Sequence, residues 1–156
     1  MSERTEKANA VVAYYVKWAA GAGLLPFPLL DVAAAVGVQT KMVYELARVY
    51  EQPFEEDRTK AIVGALAGGV SSPIASGLAL GLLWPFLKAL PGLGTLVGIV
   101  ALPAFNAAAT YALGRVFIQH FECGGTILDL DPDKVREHFR REFEAARRQE
   151  PAAPAR

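Results

Sequence analysis

Apolar residues recur at spacings of three and four near the start of the chain. The pattern predicts a helix over 6–23 with Val11, Val12, Tyr15, Trp18, Ala19 and Ala22 on its apolar face and Lys17 off it. The run GAGLLPFP ends that helix, because Gly and two prolines cannot continue it. A second helix over about 29–51 places Val32, Val36, Val43, Leu46, Ala47 and Tyr50 on one side and Lys41, Glu45 and Arg48 elsewhere, and the run EQPF stops it. The charged run EEDRTK starts the next element. A long helix, uncharged as far as Arg115, runs from Pro91 to about Cys123, where Gly124 and Gly125 supply a C-terminal stop. Asp131, Pro132 and Asp133 then read as an N-cap, a proline at the first helical position and an acid facing the helix dipole. The helix they open reaches about Arg148, with Val135, Phe139 and Phe143 in one apolar line, and with Glu137–Arg141 and Glu144–Arg148 as surface pairs.

These elements make an all-α chain of about five helices. They form a charged helical hairpin (6–60), an uncharged helical hairpin (61–125) and an amphipathic C-terminal helix (131–148). All belong to one domain over 1–149, and 150–156 is expected to be a disordered tail. YELARVY at 44–50 is echoed by YALGRVF at 111–117, so the two hairpins read as related units of which the second has lost its charges.

The charges change this picture through their placement. Sixteen Lys plus Arg balance sixteen Asp plus Glu, so the chain lacks the cation excess that coating a nucleic acid requires. Between Lys60 and Arg115 the only charge is Lys88, which divides two uncharged stretches, 61–87 and 89–114. Each exceeds the roughly 20 helical residues that cross a bilayer core. Ser71, Ser72, Ser76, Thr95, Asn106 and Thr110 make each less hydrophobic than a single-pass anchor, so insertion as a hairpin (61–84 and 92–114) is the expectation. Arg58, Lys60 and Arg115 flank the hairpin and favour both termini on the cytoplasmic side of the cytoplasmic membrane. Trp84, Phe86 and Tyr111 stand where an aromatic belt would lie. The N-terminal residues mix both charge signs and do not read as a secretory signal. The alternative is a cytoplasmic protein in which the uncharged helices are buried all round in a soluble oligomer.

Candidate chemistry is sparse. One cysteine, Cys123, excludes an internal disulfide and any multi-cysteine metal site. The run GALAGGVS at 64–71 lacks the lysine of a phosphate-binding loop, since Val70 stands in its place. The acids at 129–133 lack the turn glycine and bidentate glutamate of a calcium loop. His120, Glu122 and Cys123, with His138 as the only further ligand, match no usual zinc spacing. No catalytic triad is legible. The reading is therefore non-enzymatic, with no cofactor and no metal.

What remains is packing. Gly64/Gly68, Gly77/Gly81 and Gly94/Gly98 are small-xxx-small pairs that let helix backbones approach closely. Gly94, Gly98, Ala101, Ala108 and Ala112 form a stripe interrupted by Phe105. Folding the uncharged helices about Lys88 sets Pro73 opposite Pro103 and gives Asn106 the hydroxyls of Ser71 and Ser72 as partners, so Asn106 joins the glycines as a candidate helix-packing residue. Arg48 and Arg115 are candidate contacts for carboxylates or lipid headgroups, against the plainer reading of surface or dipole-facing arginines.

Together, WAAGAGLLPFPLLD, QTKMVYELARVYEQPFEEDRTKAI, KALPGLGT and ATYALGRVFIQHFECGGTILDLDPDKVREHFRREF resemble the YcjF-like family of bacterial proteins of unknown function, over about residues 8–148. The family's domain is also found joined to GTPase domains and is regarded as membrane-associated. The resemblance implies a membrane-lipid partner and a role as partner or regulator of a separate GTPase, and it transfers no catalytic residues. The function expected is a membrane-associated, self-associating scaffold or GTPase partner, a homo-oligomer that binds no nucleic acid. The alternatives are a soluble all-α oligomeric scaffold and a small pore or carrier.

Overall fold

Helix α1 (Glu3–Ala22) begins where Ser2 receives the Thr5 backbone N–H on its hydroxyl, and it carries Glu3 and Glu6 in its first turn. The computed structural model describes residues 2–22, 28–75 and 93–149, with side-chain surroundings for 2–21, 34–67 and 103–149. Within these bounds the chain is all-α. Helices α2 (Pro28–Val49), α3 (Glu56–Ala75), α4 (Leu93–Glu122) and α5 (Pro132–Gln149) follow α1. The expected turn about Lys88, Gly77 and Gly81, and the tail at 150–156 lie outside the described residues.

The helix ends follow from local chemistry. Helix α4 stops because Gly124 takes a left-handed φ of 80°, which lets Gly125 N–H reach the His120 carbonyl and Gly124 N–H the Phe121 carbonyl. Helix α2 ends with the same pair of bonds, Gln52 to Ala47 and Glu51 to Arg48, but the left-handed residue is Glu51 at φ 58°. At α5 the Asp131 carboxylate accepts the Asp133 backbone N–H at 3.0 Å, the N-cap bond that the sequence predicts.

The helices run alternately up and down. Thr5 and Val12 of α1 meet Glu122 and Gly114 of α4, Tyr15 meets Glu45 of α2, and Phe105 and Arg115 of α4 meet Phe143 and Glu142 of α5. Helix α4 touches all four other helices and is the hub of the fold. Ala107, Ala108, Ala109, Ala112, Leu113, Val116, Phe117 and Ile118 are all buried, so nearly every side of the helix between 106 and 118 is covered by protein. This enclosure explains an apolar helix with no polar face. Against it pack Val12, Tyr15, Met42, Val43, Leu46, Ile62, Val63, Leu66, Phe139 and Phe143. One buried polar pair crosses this core, the Gln39 amide donating to the Thr110 hydroxyl at 3.3 Å.

One expectation is corrected here. Trp18, assigned to the apolar face of α1, is 58% exposed, and Ala8 takes its place in the core line Ala8, Val12, Tyr15, Ala19. Of the uncharged stretches, helix α3 packs mainly on α2 and α5 and only lightly on α4, and most of the expected hairpin contact falls on residues outside the described side chains. The proposed Asn106 partners, Ser71 and Ser72, lie outside the described side chains, and so does the Pro73–Pro103 register. Among the described residues no helix is long and apolar enough to cross a membrane.

Candidate functional site

The alternating direction of the helices gives the bundle two unlike ends. At one end meet the start of α1, the α2–α3 link, the start of α3, the end of α4 and the start of α5. It is tied together by polar contacts: Glu122 accepts from Thr5 at 2.8 Å and from Tyr50 at 3.1 Å, Arg58 donates to the Leu130 carbonyl at 3.2 Å, and Arg4 stands 3.9 Å from Glu51. Burial pushes the Tyr50 phenol above its ordinary pKa, and the Glu122 carboxylate adds to the shift by holding the proton in a hydrogen bond. At the other end α1 and α5 finish, α2 begins, and α3 and α4 carry the borders of the segment 68–102, whose sequence holds no charge but Lys88.

A collar of exposed side chains rings the bundle near the C-terminal ends of α1 and α5. Tyr14, Lys17, Trp18 and Gly21 share the outer face of α1, with Tyr14 55% and Trp18 58% exposed and their rings 6.3 Å apart. Val16 on the same turns lines a shallow apolar groove with Ala107 and Tyr111 of α4 and Ala146 and Gln149 of α5, which places the end of α5 at that height. Arg147 and Arg148 there are exposed. Arg147 stacks over the Phe143 ring at 5.8 Å, and Arg148 pairs with Glu144 at 3.8 Å. The height therefore carries two exposed aromatic rings and three basic side chains.

A family model described as a domain of unknown function, DUF697, matches residues 1–148. The chain belongs to the DUF697 family. This agrees with the resemblance to YcjF-like proteins. A relative, "Magnetosome membrane protein 22" of Magnetospirillum gryphiswaldense, is 36% identical over 137 residues, which cover 88% of this chain and 69% of the relative. No solved structure matches.

The other sequence-predicted residues of this DUF697 domain do not gather in one place. Gly64 faces open space on α3, where a Cβ would meet nothing within 4 Å. Gly68 lies in α3, and Gly94 and Gly98 in the first turns of α4, with surroundings outside the described side chains. Asn106 is buried in α4. Arg115 is committed to its own fold, donating to Asn9 at 3.3 Å and standing 3.8 Å from Glu142. Arg48 lies against the Tyr44 ring, which Lys41 also approaches, and Phe54 meets that ring edge-on. Both arginines sit away from the uncharged end. Tyr111 is half-buried in the groove, and Trp84 and Phe86 lie outside the described residues.

Sequence reasoning missed the collar and Gly114. The signal for the first was the neighbouring pair Tyr14 and Tyr15, which cannot share one helix face. For the second it was a glycine in a helix interior, a costly choice unless a backbone must come close. Among the described residues no three His, Cys, Asp or Glu side chains are placed to hold a metal ion. His120 instead donates from Nε2 to the Thr126 carbonyl at 2.8 Å, fastening the α4–α5 loop.

Proposed function

We propose that this chain is a non-enzymatic, membrane-associated helical protein that enters the bilayer with its uncharged end and keeps its charged end in the cytoplasm. The observation that carries the reading is the polarity along the bundle axis. Exposed Tyr14 and Trp18 stand with Lys17, Arg147 and Arg148 near the C-terminal ends of α1 and α5, the same end of the bundle from which α3 leads into the sequence 68–102, uncharged but for Lys88. Amphipathic rings favour the headgroup level of a bilayer. Basic side chains near an anionic cytoplasmic leaflet contribute about 1 kcal/mol each. Of the hairpin 61–84 and 92–114, the part around Lys88 is the inserted part, while Ile62, Val63, Leu66 and 106–113 stay packed in protein. A relative named as a magnetosome membrane protein supports the same direction.

Self-association and service to a separate GTPase are the finer parts of the proposal. They rest on the family resemblance and on the open Gly64 face of α3. Fractionation of cells expressing the full chain tests the core of it: the protein should pellet with membranes, resist a carbonate wash and need detergent for extraction. Recovery as a monodisperse soluble protein without detergent would overturn the membrane reading. That outcome would favour the second reading, a soluble oligomeric scaffold, which draws support from the enclosure of α4 by protein on nearly every side.

A further inference from the structure

We propose that the cleft between the last turns of α4 and the first half of α5 binds a small phosphate-type oxyanion. The cleft, of about 250 Å³, is floored by Val116 and Val135 and rimmed by His120, Lys134, His138 and Arg141, and no carboxylate lines it. Of the nearby acids, Glu142 faces Arg115 at 3.8 Å and Asp133 holds Arg136 at 2.9 Å, while Glu137, exposed one turn before Arg141, does not form the ion pair with it that their spacing predicts. Asp131 stands 3.8 Å from Lys134, an exposed pair worth little in water. Among the described residues Arg141 makes no ion pair, so its guanidinium fork is available for two-point recognition of an oxyanion.

The histidines point the same way. His138 Nε2 is buried without a hydrogen-bond partner, a polar atom that folding leaves unsatisfied. His138 also lines the cleft, so an oxyanion bound there offers an acceptor to this nitrogen, in its protonated form, once the ring turns toward it. His120 is locked with Nε2 as donor to Thr126 and its ring lies against Gly125, where a Cβ would strike it, so the ring is fixed in orientation before any ligand arrives. An unpaired guanidinium, an ammonium and two imidazoles around a small apolar floor form a site for a compact anion. They do not suit a metal, because the Arg141 guanidinium has no lone pair to give and the Lys134 ammonium is protonated at neutral pH. The site is independent of the membrane reading, since it is built from the bundle side near the charged end.

The chain's two histidines both line this cleft, which gives a direct test. Full-length protein in neutral maltoside micelles would be titrated with inorganic phosphate at constant ionic strength, following the two histidine C2 proton resonances by NMR. A parallel titration would use phosphatidic acid doped into the micelles without free phosphate. Saturable shifts of both resonances in the first arm support the site and assign a soluble phosphate; saturable shifts in the second arm alone support it and assign a lipid headgroup. Arg141→Gln, at an exposed position, should weaken the apparent affinity about tenfold while leaving the unfolding midpoint in place. Shifts that stay linear and equal to those caused by chloride in both arms, or an Arg141→Gln titration identical to wild type, would overturn the proposal.

Discussion

Val12 of α1 lies directly over the bare Cα of Gly114 in α4: a Cβ on Gly114 would stand 2.5 Å from Val12 Cγ2, 2.8 Å from Cγ1 and 3.2 Å from Cβ. Glycine in a helix interior costs up to about 1 kcal/mol relative to alanine, so an exposed glycine here would gain from replacement. The contact reverses that sign. Val12 is 2% exposed and β-branched, and the clash reaches its Cβ, so rotamer change cannot relieve it and the helices must part. Gly114→Ala is expected to destabilise the fold by roughly 1–3 kcal/mol. Val12→Ala in the same chain should recover part of the loss, giving a non-zero coupling in a double-mutant cycle read from chemical unfolding.

Helix order and ends were legible because they are set by neighbours in sequence: the prolines and glycines at 23–28, Asp131 before Pro132, Gly124 after Glu122. The C-terminal line Val135, Phe139, Phe143 was equally plain, since four-residue spacing on a polar helix leaves one face to bury. Partner choice was not legible. Nothing in the uncharged stretches distinguishes a helix lined by lipid from one lined by protein, because alanine and leucine suit both. The described half of α4 is enclosed by α1, α2 and α5, which is a property of those helices' faces. The small stripe was half informative: Ala108 and Ala112 are buried, but the close approach uses Gly114, one residue off the line.

Two buried phenols make the fold sensitive to alkali. Tyr15 is raised above its ordinary pKa of 10.0 by burial and by its 2.7 Å hydrogen bond to the Glu45 carboxylate, and Tyr50 is raised by burial and by Glu122. A phenol with a raised folded-state pKa stabilises the native state while it is protonated. That contribution is fully present below pH 10 and is lost as pH rises through the folded-state value. Unfolding free energy should therefore fall steeply above pH 10. Tyr15→Phe with Tyr50→Phe should flatten this fall, while costing about 1 kcal/mol per lost hydrogen bond at neutral pH.

Helix α5 docks through Phe139 and Phe143, 1% and 3% exposed, whose rings stack 6.3 Å apart while Phe143 meets Phe105 edge-on. Phe139→Ala should cost about 3–5 kcal/mol. Asp131→Ala, which removes the N-cap bond and the weak exposed pair with Lys134, should cost about 1 kcal/mol. Limited proteolysis between Gly125 and Asp131 reports the docking: cleavage should accelerate strongly in the first variant and slightly in the second. Equal, wild-type resistance in both would mean that the helix is held by other contacts.

Glu51 ends α2 in a left-handed conformation that costs a non-glycine residue about 1 kcal/mol. Its only ion pair among the described residues, to Arg4 at 3.9 Å, joins exposed side chains and contributes little. Glu51→Gly should then raise stability by several tenths to about 1 kcal/mol, with the α2–α3 link unchanged. A loss of stability would reveal that the Arg4 contact matters more than its exposure implies.

The collar can be separated from the fold because its rings stand in solvent. Tyr14 and Trp18 bury too little to hold the bundle, so Tyr14→Ser with Trp18→Ser should change unfolding free energy by no more than about 0.5 kcal/mol. On a bilayer the same two substitutions remove the amphipathic rings from the headgroup level. Charge reversal at Lys17, Arg147 and Arg148 replaces attraction to an anionic leaflet by repulsion, a loss of about 1 kcal/mol per cation removed and about as much again per anion added. Liposome flotation with and without phosphatidylserine distinguishes the two contributions. The aromatic variant should bind both vesicle types less well, whereas the charge-reversed variant should lose only the preference for phosphatidylserine, and lose it less in high salt because screening has already weakened it. If both variants float like wild type on both vesicle types, the collar does not contact the membrane, and the uncharged sequence beyond it must carry the whole association.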